Sequence, residues 1–209
     1  MTDKRDQLIQ RYTASQRINH WIIALTFILL TLSGLALFHP AFYWMSNLLG
    51  GGTWTRILHP FVGVLMFVCF FVFAARMFCH NLMSSSDWTW LARFGDVLNK
   101  RYEKVPDAGR YNGGQKLLFF LMILCMLVLL LSGVVMWREY FSFYFPIELI
   151  RLASLLHAVS AFVLICGIIV HIYAGIWVKG SVKAMTRGTV TPGWAWKYHR
   201  NWFRKVRKS

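Results

Sequence analysis

Four uninterrupted apolar runs dominate this chain of 209 residues, at 21–38, 57–75, 117–137 and 149–178. A helix rises about 1.5 Å per residue, so about 20 apolar residues cross a hydrocarbon core about 30 Å thick. A soluble domain buries its apolar surface in short periodic faces and has no use for four runs of this length. The sequence therefore predicts an all-α integral membrane protein. Its helices span about 18–38, 57–79, 116–137 and 149–178, in a single domain over 1–209. The first run lacks a small-residue cleavage site and precedes three more spans, which argues against a cleaved signal peptide.

The net charge of +15 would suit a nucleic-acid partner if it formed one patch, but it is split by topology. Twenty of the 23 lysines and arginines lie before the first run, between the second and third, or after the fourth. Arg56, Arg138 and Arg151 are the three on the opposite side. Excess Lys and Arg marks the cytoplasmic face, so both termini are expected there. Topology and lipid headgroups account for the charge, and no nucleic acid is implied. Cys69, Cys79, Cys125 and Cys166 include no Cys-x-x-Cys pair, and are expected to pack rather than to form disulfides or hold an iron–sulfur cluster. Ser84-Ser85-Ser86-Asp87 is expected to cap a short interfacial helix through Trp88, Trp90, Leu91 and Phe94. No internal repeat is evident.

Seven histidines remain to be explained. His39, His80 and His199 fall in connections or at helix ends. His20, His59, His157 and His171 fall inside the apolar helices or within a turn of their ends. Ionisable groups at membrane depth are costly and mark function. With the termini inside, His20 is near the inner face and His59 near the outer face. The fourth helix carries both His157, in its outer half, and His171, in its inner half. Their 14-residue separation is about 21 Å and close to four whole turns, so both rings leave nearly one face. Two levelled pairs result: His59 with His157 outside, His20 with His171 inside. Facing imidazoles in a helix bundle are a site for haem iron. Filling both axial positions favours electron transfer over oxygen activation. Gly34 and Gly63 are placed to let a flat macrocycle approach the helices. No Asp or Glu lies deep in a span, which disfavours carboxylate metal sites and ion-coupled transport.

The segment Arg110-Tyr111-Asn112-Gly113-Gly114-Gln115-Lys116 enters the third helix at the inner level. Its amide side chains and free helix N-terminal N–H groups are expected to meet the oxygens of a quinone.

These residues carry a family resemblance. Asn19-His20-Trp21, Ile57-Leu58-His59-Pro60-Phe61, Gly109 to Lys116, Leu156-His157-Ala158, Val170-His171-Ile172-Tyr173 and Trp177-Val178-Lys179-Gly180 resemble the cytochrome b (gamma) subunit of membrane-bound respiratory formate dehydrogenase. The resemblance covers nearly the whole chain. It implies a four-helix bundle with two haems b, the outer on His59 and His157 and the inner on His20 and His171. It implies quinone contacts at Asn112, Gly114, Gln115 and His171, with menaquinone or ubiquinone as acceptor.

The implied partners are an iron–sulfur (beta) subunit and a molybdenum- or tungsten-containing catalytic (alpha) subunit, and a higher oligomer of that heterotrimer is compatible with it. The implied location is the bacterial inner membrane, and formate oxidation itself is expected in the partner. Glu139 stands where the family pattern leads one to expect proline. Related di-haem cytochromes b of hydrogenase or thiosulfate-reductase complexes share the same haem logic. A non-haem membrane anchor with structural histidines is the alternative from another class.

Overall fold

The computed structural model describes residues 8–208. Lys4 and Arg5, two of the basic residues before the first run, lie outside the described residues. A two-residue strand β1 (Ile9–Gln10) leads into α1 (Ala14–Phe38) and, after a 3₁₀ segment Pro40–Leu49, α2 (Gly52–Asn81). Short helices α3 (Ser85–Ala92) and α4 (Phe94–Leu98) precede α5 (Gly113–Met136) and α6 (Ile147–Trp177). The chain closes with α7 (Ser181–Arg187), strand β2 (Thr189–Val190), α8 (Pro192–Tyr198) and α9 (Arg200–Val206).

Helices α1, α2, α5 and α6 are each long and apolar enough to cross a membrane, so this is a multi-pass membrane protein. In lipid every backbone N–H and C=O must be satisfied within the segment, which a helix alone achieves for an isolated span. Leu124, Leu131, Phe162 and Ile169 are each more than half exposed, as lipid-facing side chains should be. All four spans begin a few residues before the apolar pattern does. The 3₁₀ segment ends on Gly50 at φ 85°, and α2 starts at Gly52 rather than near 57. The buried Thr55 hydroxyl there donates to the Gly51 carbonyl at 2.9 Å. Pro60 lies inside α2, where it removes one helical N–H directly after His59.

Contacts group the chain into two units. The first comprises Ile18–Ala75 and Leu121–Val170 and holds most of the four spans. Within it, Phe61 meets Trp137 edge-on, with centroids 5.1 Å apart, and Asn19 donates to the Cys69 carbonyl at 3.1 Å.

The second unit comprises Met1–Arg17, Arg76–Phe120 and His171–Ser209. Here β1 and β2 pair antiparallel, Ile9 opposite Val190. Their apolar side chains join Ala184, Ala195, Trp202 and Phe203 in a small core. Arg11 is buried against it, with its guanidinium 4.4 Å from the Trp202 ring centre. Arg11 and Arg110 each donate to the other's backbone carbonyl, which ties the N-terminal arm to the α5 entry. Gly188, at φ 84°, accepts from the Arg11 N–H at 2.8 Å. A Cβ at Gly188 would lie 2.7 Å from the Tyr12 carbonyl oxygen. The expected interfacial helix is α3: Ser84 is its N-cap in a capping box with Asp87. All four cysteines are free thiols.

Candidate functional site

His59 and His157 are brought together. Their ring centroids lie 6.4 Å apart with planes at 57°. Each ring is held through Nδ1 by a serine from the neighbouring helix: Ser33 Oγ is 2.7 Å from His59 Nδ1, and Ser132 Oγ is 2.9 Å from His157 Nδ1. Beside each serine is a glycine that faces the same ring. A Cβ at Gly34 would lie 3.4 Å from His59 Cε1, and one at Gly133 would lie 3.5 Å from His157 Cε1. Gly34 therefore faces His59. A Cβ at Gly63 would make an ordinary 3.9 Å contact with Leu30, so that glycine serves plain helix packing.

Ser33, Ser132 and Gly133 were invisible to a search for metal ligands. The signal that could have found them is a short recurrence. Leu32-Ser33-Gly34 precedes Leu58-His59, and Leu131-Ser132-Gly133 precedes Leu156-His157. The serine-to-histidine intervals are 26 and 25 residues. It is too short to register as a repeat, yet both halves of the unit are built on it.

The arrangement fits a haem b with two axial imidazoles. With Nδ1 engaged, Nε2 is the nitrogen each ring offers to a metal. At about 2 Å per imidazole–metal bond, two axial rings hold their centroids roughly 6 Å apart. Bound there, haem iron supplies reversible one-electron chemistry.

His20 and His171, the pair expected at the inner level, fall in different units. His20 sits on α1 with Trp21 edge-on at 5.5 Å and Phe73 at 6.3 Å. His171 lies on α6 in the second unit, two residues before Tyr173 and six before Trp177, whose rings lie 5.5 Å apart.

Asn112, Gly114 and Gln115 share that second unit. Gln115 Oε1 accepts from the Asn112 N–H at 3.0 Å, and Asn112 Oδ1 accepts from the Gln115 N–H at 2.9 Å. This reciprocal box caps α5. It corrects the expectation that the helix N-terminal N–H groups are free for a ligand, since two of them are consumed. It also orients both side-chain amides: their oxygens face the backbone, so their NH₂ groups are the donors left to a ligand. A Cβ at Gly114 would lie 3.0 Å from the Trp90 ring, and one at Gly113 would lie 2.6 Å from the Asp87 carbonyl oxygen. The two glycines thus let α3 press against the start of α5.

Next to this entry lies a polar cavity of about 360 Å³ lined by residues including Asp87, Asp107, Gly109, Lys116 and Arg204. Lys116 Nζ donates to Asp87 Oδ2 at 2.6 Å and to the Leu82 carbonyl at 2.9 Å. Burial pushes the Asp87 carboxyl up, but hydrogen bonds from Lys116 and Ser84 outweigh it and leave it below the usual carboxylate value. His199 Nδ1 donates to the Gly109 carbonyl, 2.9 Å away. Since a carbonyl only accepts, Nδ1 carries the proton. Burial, with Arg11 nearby, pushes the His199 imidazole down to about 3, so at neutral pH it is uncharged.

Four long apolar helices with imidazoles facing one another between them define a class of multi-pass membrane proteins built to hold haem. The chain belongs to the prokaryotic cytochrome b561 family, whose model matches residues 11–188. Haem b is accordingly its prosthetic group, and electron transfer within the membrane its role. It is 47% identical over 206 residues to the formate dehydrogenase cytochrome b556(fdo) subunit of Escherichia coli K12, covering 99% of this chain and 97% of the relative. It is 42% identical over 200 residues to the formate dehydrogenase cytochrome b556 subunit of Haemophilus influenzae, covering 96% and 84%. To the nitrate-inducible cytochrome b556(Fdn) subunit of Escherichia coli K12 it is 38% identical over 205 residues, covering 98% and 94%.

Proposed function

We propose that the chain is the membrane electron outlet of a formate dehydrogenase, passing electrons through two haems b to a quinone. The observation that carries this is the His59–His157 pair, 6.4 Å between ring centres, with Nδ1 of each ring held by a serine. The outer haem is assigned to His59 and His157, and the inner haem to His20 and His171. One domain, 1–209, serves as a di-haem module. The iron–sulfur subunit of the complex delivers electrons at the outer face, and its molybdenum or tungsten subunit oxidises formate. Full-length identity to three cytochrome b556 subunits of formate dehydrogenases supports this reading over a hydrogenase or thiosulfate-reductase partner.

Menaquinone or ubiquinone is reduced near the inner face. The NH₂ groups of Asn112 and Gln115 donate to its carbonyl oxygens, with Gly114 and His171 completing the contact. The distribution of Lys and Arg sets both termini in the cytoplasm of a bacterium, with the spans in its inner membrane. Electrons moving inward do work against the potential, about 2.3 kcal/mol per charge per 100 mV, which the redox drop from formate supplies. Protons for the quinol come from the cytoplasm, so the chain generates potential without a proton channel. This agrees with spans that lack buried carboxylates.

The test is a reduced-minus-oxidised visible spectrum with haem quantification on the purified complex. Two haems b per chain, re-oxidised by added quinone, are expected. Absence of a haem b band would leave only the membrane anchor, and co-purification with a nickel-containing subunit would move the chain to a hydrogenase.

A further inference from the structure

We infer that Ser33 and Ser132 are a matched pair of positioning residues. They fix the tautomer and ring plane of the two outer-haem ligands and lower the reduction potential of that haem. The inference rests on the assignment of His59 and His157 as its axial ligands.

The direction of the two hydrogen bonds follows from the proton count at Ser132 and from the ligand assignment at Ser33. A serine hydroxyl has one hydrogen. Ser132 Oγ lies 2.6 Å from the Val128 carbonyl and 3.3 Å from that of Leu129. Ser33 Oγ lies 3.2 Å from the Leu30 carbonyl. Carbonyls only accept, so at 2.6 Å the Ser132 hydroxyl hydrogen is committed to Val128, while for Ser33 the ligand assignment gives the direction: a ring that binds iron through Nε2 carries its proton on Nδ1 and donates it. The same oxygens stand 2.9 Å from His157 Nδ1 and 2.7 Å from His59 Nδ1. Ser132, with its hydrogen spent, can only accept there, and Ser33 accepts from His59 once Nε2 is the ligating atom. Both rings therefore carry the proton on Nδ1, and the lone pair is on Nε2.

Serine bonding back to its own helix is common in membrane spans and by itself means little. Three observations go further. The second partner is an imidazole Nδ1 in both cases. Both serines are buried, at 2% and 5% exposure, so water does not compete for the bond. The next residue is a glycine in both cases, at ordinary van der Waals distance for a Cβ from the same ring's Cε1. One helix thus supplies an acceptor for the Nδ1–H and a small residue against the ring edge, and the unit does this twice.

The chemical consequence follows from the ligand bond. An imidazole donating Nδ1–H to an acceptor is more basic at Nε2 and is fixed in rotation. A stronger donor on both axial positions stabilises the ferric more than the ferrous state, which lowers the potential.

The test uses the intact complex in membranes, with Ser33→Ala, Ser132→Ala, the double variant, Ser33→Thr and Ser132→Thr. Each is read by haem content, potentiometric titration of the α-band and the low-spin electron paramagnetic resonance g values. Expected are both haems retained, a rise in one of the two midpoint potentials in each Ala variant, a larger rise in the double variant, and altered g values for that haem alone. The Thr variants keep the hydroxyl and are expected to titrate like the parent. Loss of one haem in the Ala variants with retention in the Thr variants supports the same role. Ala variants with parental potentials and g values would overturn it, as would loss of haem in the Ala and Thr variants alike. His59→Ala runs alongside: if it keeps both haems, the ligand assignment fails, whatever the serines do.

Discussion

Lys116 Nζ stands 2.6 Å from Asp87 Oδ2, and both side chains are nearly shielded from solvent, at 11% and 8% exposure. The pair joins the first turn of α5 to the cap of α3, where Ser84 donates to the same carboxylate oxygen from its hydroxyl at 2.6 Å and its N–H at 2.9 Å. Breaking a buried ion pair by removing one partner leaves a charge without compensation and costs about 3–5 kcal/mol. Lys116→Met is expected to destabilise the second unit by that order, read as a fall in unfolding temperature of the detergent-solubilised protein by tryptophan fluorescence. Asp87→Asn, which keeps the cap geometry, is expected to cost less. Equal stability of Lys116→Met and the parent would show that the pair contributes nothing.

The same region should be acid-labile in two windows. His199 is held down to about 3 by burial, against about 6.5 in the unfolded chain. Below about pH 6.5 the unfolded state takes up a proton that the folded state refuses, so stability falls with pH until about 3. Asp87 has the opposite origin: its lowered folded value stabilises the fold above the ordinary carboxylate value, and that contribution is lost as pH falls through the depressed one. Thermal unfolding between pH 8 and 5 reports the first window alone. His199→Gln is expected to flatten that slope, and an unchanged slope would remove His199 as its source.

Gln115 has two jobs, and its substitution should separate them. Gln115→Ala removes half of the box that caps α5, a loss of about 1 kcal/mol by the usual cost of a cap. It also removes an NH₂ donor from the proposed quinone site. Quinol formation is expected to slow about tenfold, the worth of one hydrogen bond at about 1.4 kcal/mol, with both haem spectra intact. Gln115→Glu keeps the acceptor for the Asn112 N–H but loses the donors. It is expected to hold the cap while still slowing the quinone step, and normal quinone kinetics in both variants would exclude Gln115 from the site.

His157→Ala is expected to remove the outer haem and halve the haem content, measured as the pyridine haemochrome. The inner haem should remain and be reducible by quinol from the inner side, while reduction by formate stops. Full haem content in this variant would end the assignment.

Much of the architecture is legible in the sequence, because a bilayer imposes a length and a composition that do not depend on what the helix packs against. The four spans and the capped helix at Ser84 follow from local pattern, and the uneven placement of Lys and Arg is the basis for expecting the histidines at two depths. What the pattern could not supply is which polar side chains meet across helices. Ser33 and Ser132 read as ordinary small residues in apolar runs, since a serine that satisfies itself on its own helix leaves no trace in hydropathy. Nor could the pattern show that Asn112 and Gln115 spend their side-chain oxygens on each other's backbone.

By itself the sequence determined the number of crossings, their bounds to within a few residues, and the four membrane histidines, because each depends on chain length and on the cost of burying charge. Only the tertiary structure decided the details of the His59–His157 pair: that its rings sit 6.4 Å apart, that a serine and a glycine of a neighbouring helix receive each ring, and that Nδ1 is the nitrogen engaged. Those are set by side-chain directions and hydrogen-bond partners between segments 25 or 26 residues apart, which no periodicity along one helix encodes.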